Sequence, residues 1–138
     1  MGAPVVRGQN ILSFKAAQTL SAYRVVRLSA ANTVNLSDTV TSGVLGVTTQ
    51  DAAGTDAAAA VCVSGTAKIQ CAASISAGAI VTFQSNTTSG LIMEVGASVL
   101  NTTTTQLPFA VGRALTAGST NSVIEVSLML TPYRVQFA

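Results

Sequence analysis

The sequence predicts an all-β protein, a small β-barrel or β-sandwich with an extended N-terminal arm. Three observations carry that expectation. Short runs of Val, Ile, Thr, Phe and Tyr recur along the chain, and clusters of Gly, Asn, Ser and Thr separate them. Many short strands with frequent turn signals read as a sandwich or barrel. Charged residues make up only 9% of the chain while hydrophobic residues make up 49%, against roughly 25% charged in ordinary soluble domains. The 138 residues fit one β domain over 21–138, preceded by the arm over 1–20.

The arm comes first. Gly2, Pro4, Gly8, Gln9 and Asn10 interrupt the apolar pairs Val5-Val6 and Ile11-Leu12. Apolar groups that alternate with Gly and polar residues can lie along a neighbour as an added strand or clasp. Val5, Val6, Arg7, Ile11, Leu12, Phe14 and Lys15 are therefore the expected contacts, and removing residues 1–14 is expected to leave the β domain folded. Strands are then expected at 23–28, 43–49, 60–63, 67–71, 79–84, 91–95, 109–115 and 122–130. A tight turn is expected at Ser64-Gly65-Thr66, and loops at 51–56, 85–90 and 116–121. The Ala-rich pieces 52–60 and 72–79 are broken by Gly, Ser and Thr and read as loops, with at most one helical turn each. Over 97–106, with four consecutive Thr, periodicity does not separate a loop from a short helix.

One internal echo stands out. Val44-Leu45-Gly46-Val47, a Gly-bearing loop and Val61-Cys62-Val63 match Ala110-Val111-Gly112-Arg113, a Gly-bearing loop and Val123-Ile124-Glu125-Val126. Two hairpins with common turn chemistry and a true duplication explain it equally well. Either way 43–49 should pair with 58–64, and 109–115 with 122–130. The Gly inside each first strand marks a bulge or a close backbone approach.

The chemistry-bearing residues are few. There is no His and no Trp. A hydrolytic triad would have to run on Lys or a carboxylate, and neither Lys15 nor Lys68 stands in a Ser-x-x-Lys context. Of the acids Asp38, Asp51, Asp56, Glu94 and Glu125, only Asp51 and Asp56 share a loop, where solvated acids are the plainer reading. No Ca²⁺-loop spacing and no phosphate loop occurs. The expectation is no enzyme, no cofactor and no metal. Seven scattered Lys and Arg against five acids give a net charge of +2, so no nucleic-acid partner is expected. No apolar run suits a signal peptide or a membrane span, so no membrane partner is expected either. Cys62 and Cys71 read as two buried small hydrophobes in a reducing compartment, with a disulfide as the competing reading.

In order and spacing the segments resemble the capsid cement, or decoration, proteins of tailed bacteriophages. The resemblance is carried by Tyr23-Arg24-Val25-Val26-Arg27-Leu28, by Gly43-Val44-Leu45-Gly46-Val47 with Asp51-Ala52-Ala53-Gly54, and by Ala60-Val61-Cys62-Val63-Ser64-Gly65-Thr66-Ala67. Ile75-Ser76-Ala77-Gly78-Ala79-Ile80-Val81-Thr82 and the closing Val111-Gly112-Arg113-Ala114-Leu115 with Ile124-Glu125-Val126 complete it. It implies a small β-barrel or sandwich on the outer surface of an icosahedral head, made in the bacterial cytoplasm. Its partners would be the major capsid protein and itself, as a homotrimer. The aromatic tail departs from the resemblance. Tyr133, Arg134 and Phe137 are expected to seat against the trimer partner or the capsid. Another virion subunit, of the tail tube or head-completion type, is the alternative. A secreted adhesion or carbohydrate-binding sandwich fits less well, since it would want exposed aromatics.

Overall fold

The computed structural model describes residues 8–37, 44–83, 90–95 and 110–129. Among these the chain is all β. Nine strands follow in order: β1 (Gln9–Ala16), β2 (Val25–Ala30), β3 (Thr33–Leu36), β4 (Gly46–Thr48), β5 (Ala58–Gln70), β6 (Ile80–Phe83), β7 (Ile92–Glu94), β8 (Ala110–Ala114) and β9 (Val123–Leu128). The two Ala-rich pieces form no helix. Ala58–Ala60 belong to β5, where alternation buries Ala59 and leaves Ala58 exposed.

The sheet closes twice. β1, β3, β2, β4 and the first half of β5 form a ring, because β1 pairs with both β3 and β5. The second half of β5, with β9, β8, β6 and β7, forms another, closed by a parallel bridge from Cys71 to Ile92. Each ring is a five-stranded barrel, and closure removes the free edges that a sheet would otherwise present.

The two barrels repeat each other residue by residue. Shifting β1 by 55 positions and the first half of β5 by 65 turns the pair Lys15–Ala58 into Gln70–Val123, and Ile11–Cys62 into Thr66–Ser127. In the same way Val25–Val47 corresponds to Ile80–Arg113, Leu28–Val34 to Phe83–Ile92, and Val47–Cys62 to Arg113–Ser127. The isolated bridge Leu20–Ala52 recurs as Ile75–Gly118. Even the left-handed backbone positions correspond: Tyr23 (φ 65°) with Gly78 (φ 87°), and Asp56 (φ 65°) with Asn121 (φ 68°). The structure thus resolves the echo in favour of a duplication, with residues 9–63 as the first module and 64–128 as the second.

Three expectations change. The turn at Ser64-Gly65-Thr66 is absent, and β5 runs through as one strand of 13 residues. Residues before Gly65 have partners in the first barrel and residues after it have partners in the second, so the chain bends there without reversing. Gly65 permits the bend at φ 90°, and a side chain at that position would strike the Gly8 carbonyl. Strand β3 lies in a stretch the sequence showed only as a polar loop. Residues 9–16, expected as part of an arm, are strand β1, paired with β5 from Gln9 to Lys15 within the same chain. Residues 1–7 of that expected arm, and the 97–106 stretch, lie outside the described residues.

Each module has its own core. Ala16, Leu20, Val26, Val34, Ala52, Ala59 and Val61 fill the first barrel, with Phe14 packed against them. Their counterparts Cys71, Ile75, Val81, Ile92, Ile124 and Val126 fill the second. The second core also takes in Val25, Val47 and Cys62 from the outside of the first barrel. That shared cluster joins the two modules.

Candidate interaction surface

The expected contact residues on the described part of the chain are Ile11, Leu12, Phe14 and Lys15, all on β1. Alternation sets Leu12 and Phe14 on the face toward the first core and Ile11 on the other, and Leu12 is exposed because it stands at the end of the barrel. Phe14 turns into the first core and is half-buried. Ile11 and Leu12 remain 45% and 47% exposed, and Lys15 is exposed. Val5, Val6, Arg7, Tyr133, Arg134 and Phe137 lie outside the described residues. Leu28, which sequence reasoning did not single out, is the most exposed large apolar side chain among the described residues, at 51%. Leu12 and Leu28 stand at one end of the first barrel, where β1 begins and β2 approaches its close. The missing signal was the pairing: without β3, which lies between them, nothing in the sequence places β1 and β2 in one barrel.

Among the described acids, Asp51, Glu94 and Glu125 stand against structural partners, and Asp56 is held through its backbone. Asp51 Oδ1 accepts the Ala22 N–H at 2.7 Å, which pins the loop before β2. The Asp56 N–H donates to the Ala16 carbonyl. Glu94 accepts the Ser76 N–H. Glu125 stands across the ladder from Lys68, a favourable opposite-charge pair on an outer face. No group of three or more Cys, Asp or Glu among the described residues is arranged to hold a metal.

Cys62 and Cys71 are free and buried. Cys62 pairs with Val47 and Ile11 rather than with a residue near position 69, because the expected hairpin does not form. Burial pushes the Cys71 thiol above its ordinary pKa of 9.0, partly offset by a hydrogen bond with Ser122. A raised pKa keeps the thiol protonated and unreactive at neutral pH. Where the modules meet, a cleft is bordered by Gln9, Tyr23, Thr49 and Lys68. Two of its bordering residues also tie the modules together, Gln9 Nε2 donating to the Thr66 carbonyl at 2.8 Å and the Tyr23 carbonyl accepting the Gln70 N–H at 3.0 Å. Among the described residues no helix is long and apolar enough to cross a membrane. The surface offers shape and apolar contact.

Comparison with known proteins adds a likeness of fold. The chain is similar to the N base of the head fiber protein gp8.5 of bacteriophage phi29, with a TM-score of 0.64 over 88% of this chain and 95% of that one. Identity is 12%, so what the two share is the fold. No family model matches the sequence. No curated protein matches it either.

Proposed function

We propose that this chain is a structural protein of a bacteriophage virion, a capsid cement or decoration subunit bound to the outside of the head. The observation that carries this reading is the shared fold with a protein that forms the base of a phage head fiber. The sequence resemblance to cement proteins points to the same particle. Composition agrees with it: a chain with no His and 9% charged residues is poorly equipped for catalysis and well suited to covered surfaces. In this reading the protein is not an enzyme and needs no cofactor. Its partners are the major capsid protein and further copies of itself, as a homotrimer, and it contacts neither nucleic acid nor membrane. A cement subunit works by adding contact at seams that internal pressure opens. Many symmetric copies then act together.

The likeness to a fiber base favours a second reading, in which the chain is the head-proximal foot of a longer fiber. Both readings put the protein on the head surface, and imaging separates them. Heads assembled without the protein, then incubated with it, should gain density on the outer surface at symmetry-related positions. Density ending at the two barrels is the cement outcome, and a projecting stalk is the fiber outcome. Density on the tail, or no binding to heads at all, would overturn both.

A further inference from the structure

The two modules are equivalent in register but not in what covers them. In the second barrel Ala67 and Phe83 stand at the end where β5 enters the barrel and β6 leaves it, and they are only 1% and 2% exposed. Their counterparts by register in the first barrel are Leu12 and Leu28, at 47% and 51%. The difference lies in a neighbour. The end of the second barrel belongs to one cluster with Val25, Val47 and Cys62, which form a row across β2, β4 and β5 on the outside of the first barrel. The Val25 N–H donates to the Gly90 carbonyl at 2.8 Å across that junction. The corresponding row on the second barrel is Ile80, Arg113 and Ser127, and Arg113 is exposed. One module-to-module contact is therefore made inside the chain. Among the described residues, one half of an equivalent contact is left on each barrel.

We infer that this chain associates head to tail with a second copy, the open barrel end at Leu12 and Leu28 receiving the outer row Ile80, Arg113 and Ser127 of its neighbour. The occupant follows from continuity with the contact inside the chain. The second barrel carries an outer row in the same register as the row that already covers such an end. The backbone at the open end already finds a hydrogen-bond partner within the chain. In the first barrel the Lys15 N–H donates to the Asn32 carbonyl at 2.8 Å, which closes the slot that the Gln70, Gly90 and Tyr23–Val25 backbones share at the inner junction. Apolar side chains are what remains uncovered. The outer row is more polar than Val25, Val47 and Cys62, as suits a contact between subunits that are first made separately. A heterologous contact of this kind closes into a ring when its rotation permits, so the inference supplies an interface for the self-association in the proposed function.

Sedimentation of the full-length protein across a micromolar range tests it. The wild type should associate. Leu12→Asp with Leu28→Asp, or Ser127→Lys with Arg113→Asp, should each weaken association by about tenfold or more, since each sets a new or reversed charge into the contact without a matched partner. Leu12→Met with Leu28→Met should preserve it, and melting curves report that all variants are folded. Mixing the two defective variants should restore dimers and nothing larger, since one intact end and one intact row remain. A wild type that stays monomeric would overturn the inference, as would defective variants that associate normally. So would a Leu28→Cys variant that crosslinks to itself, because a symmetric contact would then join like ends. Head binding by the same variants is scored separately. Loss of self-association with retained head binding bears on this interface, and loss of head binding by the wild type bears on the virion reading.

Discussion

Two glycines show how a single missing Cβ sets strand spacing. Gly46 and Gly112 hold the same place in the two modules, and a Cβ at either would run into the carbonyl of a neighbouring strand, that of Cys62 or Ser127 respectively. Alanine at either position forces backbone apart in a closed ring, at a cost of about 1–3 kcal/mol. Gly54 is the control, since nothing lies closer to its Cβ position than Thr19 Oγ1 at 4.0 Å. Denaturant melts of Gly46→Ala, Gly112→Ala and Gly54→Ala should show two clear losses and one small change. Cys71 supplies a pH test. Its pKa is raised by burial in the folded protein, so its contribution is fully present below the unfolded value near 9.0 and is lost as pH rises through the folded one. Unfolding free energy should therefore drop more steeply above pH 9 in the wild type than in Cys71→Ala. Parallel loss in both proteins would remove Cys71 from the account. An alkylating reagent should reach Cys71 at neutral pH only as the protein unfolds.

At the scale of elements, β5 is the member on which both barrels depend. Gly65→Val places a branched side chain at φ 90° against the Gly8 carbonyl, which costs at least about 1–2 kcal/mol. Hydrogen exchange should report weaker protection on β1 and on β9 together, since the two pair with opposite halves of the same strand. Protection lost on one side alone would mean that the halves of β5 are independent. Strand β1 gives a related test. A chain lacking residues 1–14 forfeits most of the strand that closes the first barrel, so it should lose the ladder from β4 to β5 rather than keep a folded domain. Most strands could be read from the sequence because alternation and β-branched residues mark them. So could the pairings of β4 with β5 and of β8 with β9, together with the glycine close approaches. β3 escaped because Thr33-Val34-Asn35-Leu36 is short and half polar. β1 escaped because an exposed strand with Ile11 and Leu12 on its surface has the composition of a clasp. The Gly65 bend looked like a reversal because one glycine at positive φ serves either geometry. The duplication showed only where both modules keep Gly and Val. Elsewhere the modules hold register with different side chains, such as Phe14 for Ile69 and Leu28 for Phe83.

For the whole molecule, the shared cluster and the shared strand make one cooperative unit the natural expectation. Thermal unfolding followed by backbone and near-ultraviolet signals should give coincident transitions, and Val47→Ala, between the modules, should lower both together. If the proposed role holds, heads lacking the protein should have normal geometry but release genome at a lower temperature. Adding it back should raise that temperature, since a ligand that binds only the intact lattice stabilises it by mass action. Equal heat resistance would reduce the protein to a passive covering. Finally, five strands plus five make nine among the described residues, because the last strand of one module is the first of the next. Between the barrels there is no linker to stretch and no hinge to fold. A load applied to one barrel reaches the other along the covalent backbone of β5, with hydrogen-bonded neighbours on either side of Gly65 resisting in shear. In the proposed role, a shell that swells under its packed genome would meet a strut whose joint is continuous chain, and failure would begin outside that joint, at the proposed contacts between subunits.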